Sequence, residues 1–377
     1  MKIARVEAFP LRLPRDRAAA QGTAGSPTAL EASDRPYRWS TTVPTVYSDL
    51  FETTLVRVSL DNGLVGWGES QAPVAPRVAA TIIEDLLGPL ITGAAFDGSR
   101  GAIEHLWAQM FQSMRVRGQT GGYQMDAIAG IDLALWDLAG RRAGQPVAQL
   151  IRADAPPRVP AYLSGVAGPD AVEFARGYRE QGFRLVKLFF DRTGPELLRQ
   201  MDELRAALPD LQIAVDCLWR LEWPRDSEFL GELARRNPLW IEAPFQPDSG
   251  EEHEAVFERY PIALGESYRT RAEMRWFARR VRFLQPDLGR SGITETLRMA
   301  EFGVPIVPHV SIAMGPQIAA AMHVSAALGS PYCEFNPAVV EMANRFTDPP
   351  LRLDGAQYWV PETPGLGLGV DWPPETP

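Results

Sequence analysis

Cysteine is nearly absent: Cys217 and Cys333 are the only two in 377 residues. That excludes a disulfide framework and fits a reducing compartment. Positive charge is in deficit, with 38 Lys and Arg against 47 Asp and Glu and a net charge of −9, so a nucleic-acid footprint, normally basic, is excluded. An anionic substrate stays open, because a bound metal or local cations reverse the field inside one cleft. No apolar run approaches the roughly 18 residues a membrane span needs. The first residues, MKIARVEAFPLRLP, alternate like a strand and lack the apolar core of a secretion signal. A cytoplasmic protein with neither membrane nor nucleic-acid partner is expected. A G-x-G-x-x-G after the first strand is missing too, which leaves a doubly wound dinucleotide fold without its usual support.

What is present is ordinary for a soluble globular protein, with 45% apolar and 23% charged residues. Residues 1–14 and 51–69 read as strands, and Asn62-Gly63 between two apolar runs is a hairpin signal. Residues 15–48 form a long polar connection, of the kind that is functional or disordered. Helical patterns follow, clearest from Met125 to Arg142. From about Val159 eight short apolar runs recur at a period of about 25 residues, each but the last followed by a helix-length segment. They are VPAYLS, FRLVKLFF, LQIAVD, LWIEAPF, IALGE, VRFLQPD, VPIVPH and PYCEF. The pattern predicts an α/β protein: an α+β unit over 1–125, a parallel barrel over 126–342 and an irregular Pro- and Gly-rich tail over 343–377.

Polar residues recur at the C-terminal ends of these runs: Lys187, Asp216, Glu242, Glu266, Asp287, His309 and Glu334. From Asp216 onward the separations are 26, 24, 21, 22 and 25 residues, the period of the barrel itself. In a barrel all these ends face one mouth. Any one carboxylate after a strand could simply cap the next helix. Three in adjacent strands, Asp216, Glu242 and Glu266, would repel unless a cation neutralised them, and carboxylate oxygens favour Mg²⁺ or Mn²⁺ over zinc. His309 and Asp287 end neighbouring strands, where a carboxylate fixes the imidazole tautomer and raises its basicity. The other histidines, His105, His253 and His323, fall in helical or loop stretches and read as structural.

The passages LVRVSLDNGLVGWGES, AIAGIDLALWDLAGRRAGQPV, LVKLFFD, VDC, IEAPF, LGES, QPDLGRSGITE and PHVS together resemble the mandelate racemase subgroup of the enolase superfamily, over nearly the whole chain. The resemblance implies a (β/α)7β TIM-like barrel with an N-terminal α+β capping domain on which the tail packs back. It also implies one Mg²⁺ on Asp216, Glu242 and Glu266, a His309–Asp287 dyad as general base, Glu334 as hydrogen-bonding partner of the enolate, and a homo-oligomer. Such enzymes remove the proton α to a carboxylate. Concentrated positive charge, with Lys187 contributing, is what that weak acid requires.

Two departures bear on the reaction. Many members carry Lys-x-Lys on the second barrel strand, whereas here Phe189 follows Lys187-Leu188. The metal strand continues Asp216-Cys217-Leu218, where relatives often have Asn or His two places after the Asp. Racemisation needs groups on both faces of the carbon; elimination needs only one histidine, acting first as base and then as acid. The expected activity is therefore dehydration of an aldonic or aldaric acid to a 2-keto-3-deoxy acid, with a racemase or epimerase, or a catalytically silent ligand-binding relative, as alternatives. Arg35, Tyr37, Arg38 and Trp39, with Trp67, Glu69 and Ser70, are candidates for loops over the mouth, and Arg220 (after Trp219) for a distal hydroxyl or carboxylate of the substrate.

Overall fold

The computed structural model describes residues 1–14, 37–40, 43 and 45–370. Arg35 and most of the long polar connection lie outside them. The capping domain contains β1 (Ile3–Pro14), a short hairpin of β2 (Tyr37–Ser40) and β3 (Thr45–Ser48), then β4 (Leu50–Leu60) and β5 (Val65–Ser70). Strands β1, β4 and β5 make one antiparallel sheet. The expected turn joins β4 to β5, with Gly63 left-handed at φ 87°. Period-2 alternation puts the odd residues Phe51 and Leu55 in a cluster with Leu11, Met314 and Met342, while Val56, Val58 and Leu60 face the main core. Both faces of β4 are thus covered, one of them by a loop from the barrel.

The helix Gly122–Ala143 is buried all round from Gln124 to Gly140, its apolar residues interrupted by three enclosed acids. Strand β5 packs against one side of it and the barrel helix Leu288–Ala300 against another. Strand and helix come close because glycines meet: a β-carbon on Gly68 would sit 2.0 Å from the Gly130 carbonyl oxygen. The boundary expected at residue 125 falls inside this helix, which is continuous because both of its faces find partners.

The barrel strands are β6 (Arg158–Val166), β7 (Leu185–Phe189), β8 (Gln212–Asp216), β9 (Ile241–Glu242), β10 (Ile262–Leu264) and β11 (Phe283–Leu284), hydrogen-bonded in that order. A seventh segment joins through the bridges Leu284–Ile306 and Asp287–His309, and β12 (Cys333–Phe335) closes the ring by pairing in parallel with β6. Seven helices lie between the eight strands, from Ala171–Glu180 to Pro316–Leu328. This is the (β/α)7β barrel with its α+β cap. The tail pairs Gln357–Trp359 with the start of β6. It reaches the helix Gly122–Ala143 farther on, where Leu366 N donates to Asp137 Oδ1 (2.7 Å) and Arg141 Nη2 to the Leu368 carbonyl (2.7 Å). No helix among the described residues is long and apolar enough to cross a membrane.

Candidate active site

Inside the barrel, Tyr162, Leu185, Ala214, Trp240, Ala263, Phe283 and Val307 form an apolar plug, one residue from each of seven consecutive strands. Two residues farther along each strand the side chain points inward again. Those next positions are Ser164, Lys187, Asp216, Glu242, Gly265, Gln285 and His309. The sheet period therefore builds a polar layer directly on the plug. Gly265 is required there, because a β-carbon on it would fall 2.3 Å from the Gln285 backbone.

Asp216 and Glu242 lie in this layer, and Glu266, the residue after Gly265, meets Glu242 and His309 from the strand end. Asp216 and Glu242 are register partners on β8 and β9. All three of Asp216, Glu242 and Glu266 are buried. Oxygens of Glu242 and Glu266 and a ring nitrogen of His309 lie within 4.8 Å of one another. Asp216 stands just outside that triad, its Oδ1 accepting from Leu218 N at 2.9 Å. Lys187, also buried, points its ammonium at Glu242 Oε1 (2.6 Å), Glu334 Oε1 (2.9 Å) and Asp216 Oδ2 (3.8 Å). Glu242 Oε2 accepts from Trp240 Nε1 (2.9 Å) and Gln285 Nε2 (2.6 Å). Trp240, Gln285 and Ser164 were missed in the sequence; their only signal is the two-residue offset within a strand.

His309 sits between two acids. Its Nδ1 is 3.0 Å from Asp287 Oδ2 and its Nε2 is 2.8 Å from Glu266 Oε2. Asp287 also accepts from Gly289 N at 2.9 Å, so it caps the following helix as well as orienting the imidazole. Glu334 accepts on both oxygens, from Ser164 Oγ (2.5 Å) and Val310 N (2.9 Å) besides Lys187. As arranged it is an acceptor that holds the residue after His309, not a free donor toward a substrate.

Burial, with the charges of Glu242 and Glu266 added, holds the Asp216 carboxyl well above its usual range. Burial also raises Glu242, against the pull of Lys187. Burial opposes charging of His309, but Glu266 and Asp287 override it and lift the imidazole well above its ordinary value. Glu266 goes the other way: burial would raise it, yet the His309 imidazolium lowers it. Five buried carboxyl groups face one ammonium and one imidazolium, and ionising all five would leave three negative charges without a partner. Glu266 Oε1 is buried without a hydrogen-bond partner. Hard oxygen donors, uncompensated charge and an orphaned oxygen fit a divalent cation held by carboxylates.

The remaining candidates lie elsewhere. Arg220 donates through Nη1 to the carbonyls of Phe190 and Arg192 (2.8 Å to the latter) and stacks 4.2 Å over the Phe190 ring. Its Nη1 thus braces the loop after β7. In the β2–β3 hairpin Arg38 pairs with Asp49, and Trp39 is 61% exposed. Glu69 is fully buried, bound by Thr53 and by backbone of the loop after His309.

Residues 32–152 match the family model described as the mandelate racemase / muconate lactonizing enzyme N-terminal domain, and residues 170–374 match an enolase C-terminal domain-like model. The chain belongs to the enolase superfamily, mandelate racemase subgroup. Among its relatives is the D-galactarolactone cycloisomerase of Agrobacterium fabrum, 30% identical over 345 residues, covering 84% of this chain and 88% of that one. The arabinonate dehydratase of Saccharolobus solfataricus is 27% identical over 336 residues, covering 85% and 88%. The solved structure of a putative isomerase from Sinorhizobium meliloti superposes with a TM-score of 0.91 at 31% identity, over 98% of this chain and 97% of that one. An enolase-superfamily barrel and cap of this kind is therefore the frame in which the acidic and histidine cluster acts.

Proposed function

We propose that the protein is a Mg²⁺-dependent dehydratase of a sugar acid, an aldonate or aldarate, giving a 2-keto-3-deoxy acid. The observation that carries the reading is the single imidazole, fixed through Nδ1 by Asp287 and presenting Nε2 to the carboxylate cluster. Asp216, Glu242 and Glu266 would hold the ion, which when bound supplies Lewis-acid neutralisation of a substrate carboxylate. Once Glu266 serves the ion it would no longer hold a proton on Nε2, and the neutral His309 imidazole takes the proton on the carbon next to that carboxylate. As imidazolium it then gives the proton to the departing β-hydroxyl; the C–O bond breaks, water leaves, and the enol tautomerises to the ketone. Lys187, enclosed by three carboxylates, keeps its proton and contributes charge. Phe189 stands two places after it, in register with Asp216, where a second base would be needed for racemisation.

A second reading has a specific support in the relative named a D-galactarolactone cycloisomerase. The same base acting on a lactone expels a ring oxygen instead of a hydroxyl, and the product keeps the substrate's mass.

The test incubates the protein with Mg²⁺ and a panel of aldonic acids, aldaric acids and their lactones in deuterated water. Dehydration gives a 2-keto product one water lighter and lactone opening gives an isomer of the substrate, each carrying one solvent deuterium on the carbon protonated as the enol becomes the ketone. Exchange of the α-proton without either product would overturn elimination. His309→Asn is expected to lower turnover about 1,000-fold or more while leaving the melting temperature near wild type.

A further inference from the structure

Gln317 lies on the first turn of helix Pro316–Leu328, outside the barrel's inner layer and fully buried. Its Nε2 donates to Asp287 Oδ1 at 2.8 Å, the oxygen that also accepts from Gly289 N at 2.9 Å. Two donors on one oxygen fix the plane of the carboxylate and leave Oδ2 for His309 Nδ1. Turning the amide over would set its oxygen against the carboxylate, so only this orientation is stable. Gly289 gives the amide its space, since a β-carbon there would fall 2.5 Å from Gln317 Oε1.

Gln317 is in turn held from the capping domain. Glu69, at the end of β5, accepts from Gln317 N (3.2 Å), Met314 N (2.6 Å) and Thr53 Oγ1 (2.9 Å). Gln71 donates through its backbone to the Gly289 carbonyl (2.8 Å) and through its side chain to Ser311 Oγ (2.8 Å). Ile312 and Met314, between these anchors, pack on Leu11, Phe51 and Leu55 of the cap sheet. Both segments that carry the dyad are therefore tied to the end of one cap strand.

We propose that Gln317 is a positioning residue for the Asp287–His309 pair, held by Glu69 of the capping domain, while Gln71 of the same domain anchors Gly289 and Ser311 beside the pair. The orientation of the base is set across the domain interface. The inference rests on the proposed function only in its kinetic part; the spectroscopic part needs only the geometry.

The experiment uses the full chain labelled with ¹⁵N on its imidazoles. The His309 Hδ1 resonance is identified by its loss in His309→Asn. Gln317→Met keeps volume and removes the donor, with Gln317→Leu as a second variant. The expected result is a folded protein whose melting temperature falls by no more than a few degrees and an Hδ1 that exchanges with solvent about tenfold faster, the equivalent of one charge-assisted hydrogen bond. On any acid the wild type turns over, kcat falls by roughly 10- to 100-fold while KM stays within about twofold, as expected for a misdirected base. Wild-type Hδ1 exchange in a folded Gln317→Met or Gln317→Leu variant would overturn the proposal. Should neither fold, Gln71→Met, which loosens the same scaffold from the cap, must show the faster exchange, and an unchanged rate there overturns it equally. The resonance decides the matter even if the wild type acts on none of the acids.

Discussion

At the scale of single residues, Glu242 concentrates the site's demands: one oxygen faces Lys187, and the other accepts from Trp240 and Gln285. Its neighbours fix the side chain, so the carboxylate is preorganised and its charge is what a dication would use. Glu242→Gln keeps the volume and an acceptor for Lys187 but removes the charge. Mg²⁺ affinity, measured by titration calorimetry, is expected to fall by about 100-fold or more, with the fold retained. Unchanged affinity would remove Glu242 from the ligand set. The inward-pointing residues were legible in the sequence because strand period and barrel period together fix their direction. Arg38, Trp39 and Arg220 were not, because a loop side chain takes its direction from whatever packs beside it. For Arg220 that is Phe190 and two carbonyls.

At the scale of elements, the cap–barrel joint depends on backbone that side chains do not tolerate. The helix Leu288–Ala300 breaks at Gly292, where φ is 70° and ψ is 176°. A β-carbon there would lie 2.5 Å from Asp132 Oδ2. Asp132, buried on the helix Gly122–Ala143, accepts from Thr294 N at 2.9 Å just beyond the break. Gly292→Ala combines a left-handed backbone with a clash and is expected to cost about 2–4 kcal/mol in urea unfolding. A loss under 1 kcal/mol would show that the joint relaxes around the methyl. The long helix was plain from its apolar residues. Its buried acids Asp126, Asp132 and Asp137 were not, since their partners Arg269, Thr294 and Leu366 are far away in sequence. The seventh strand, present only as isolated bridges, was recognised through its VPIVPH run although it pairs too little to count as a ladder.

At the scale of the whole molecule, His323 ties three separated parts of the chain. Its Nδ1 accepts from Ala148 N (3.2 Å), and its Nε2 donates to the Leu366 carbonyl (3.2 Å) in the tail. Burial lowers its pKa to about 4, only partly offset by the Leu366 carbonyl. A base depressed in the folded state contributes stability that is complete above its ordinary value near 6.5 and is lost as pH falls through 4. The shift corresponds to about 3 kcal/mol. Burial raises Glu69 to about 7 and Asp132 to about 6, and these acids act in the opposite sense, adding stability as pH falls. The His323 contribution is therefore isolated by comparison with His323→Gln, whose amide serves both partners. Urea unfolding at pH 7 and pH 4 should show the wild type losing about 3 kcal/mol more than the variant; parallel losses would refute the assignment.

What the sequence determined by itself was which polar groups gather at the mouth and the barrel that gathers them, because both follow from repeats with fixed periods. Alternation along a strand turns every second side chain inward, and a 21- to 26-residue spacing of acids and histidine places one group on each strand end. What only the tertiary structure decided was how that chemistry is held: Gln285 and Trp240 on Glu242, Gln317 on Asp287, and Glu69 with Gln71 reaching across from the cap. Apart from Trp240, two places from Glu242, those contacts join residues 30 to about 250 positions apart, and no local pattern records which distant donor a buried carboxylate will find.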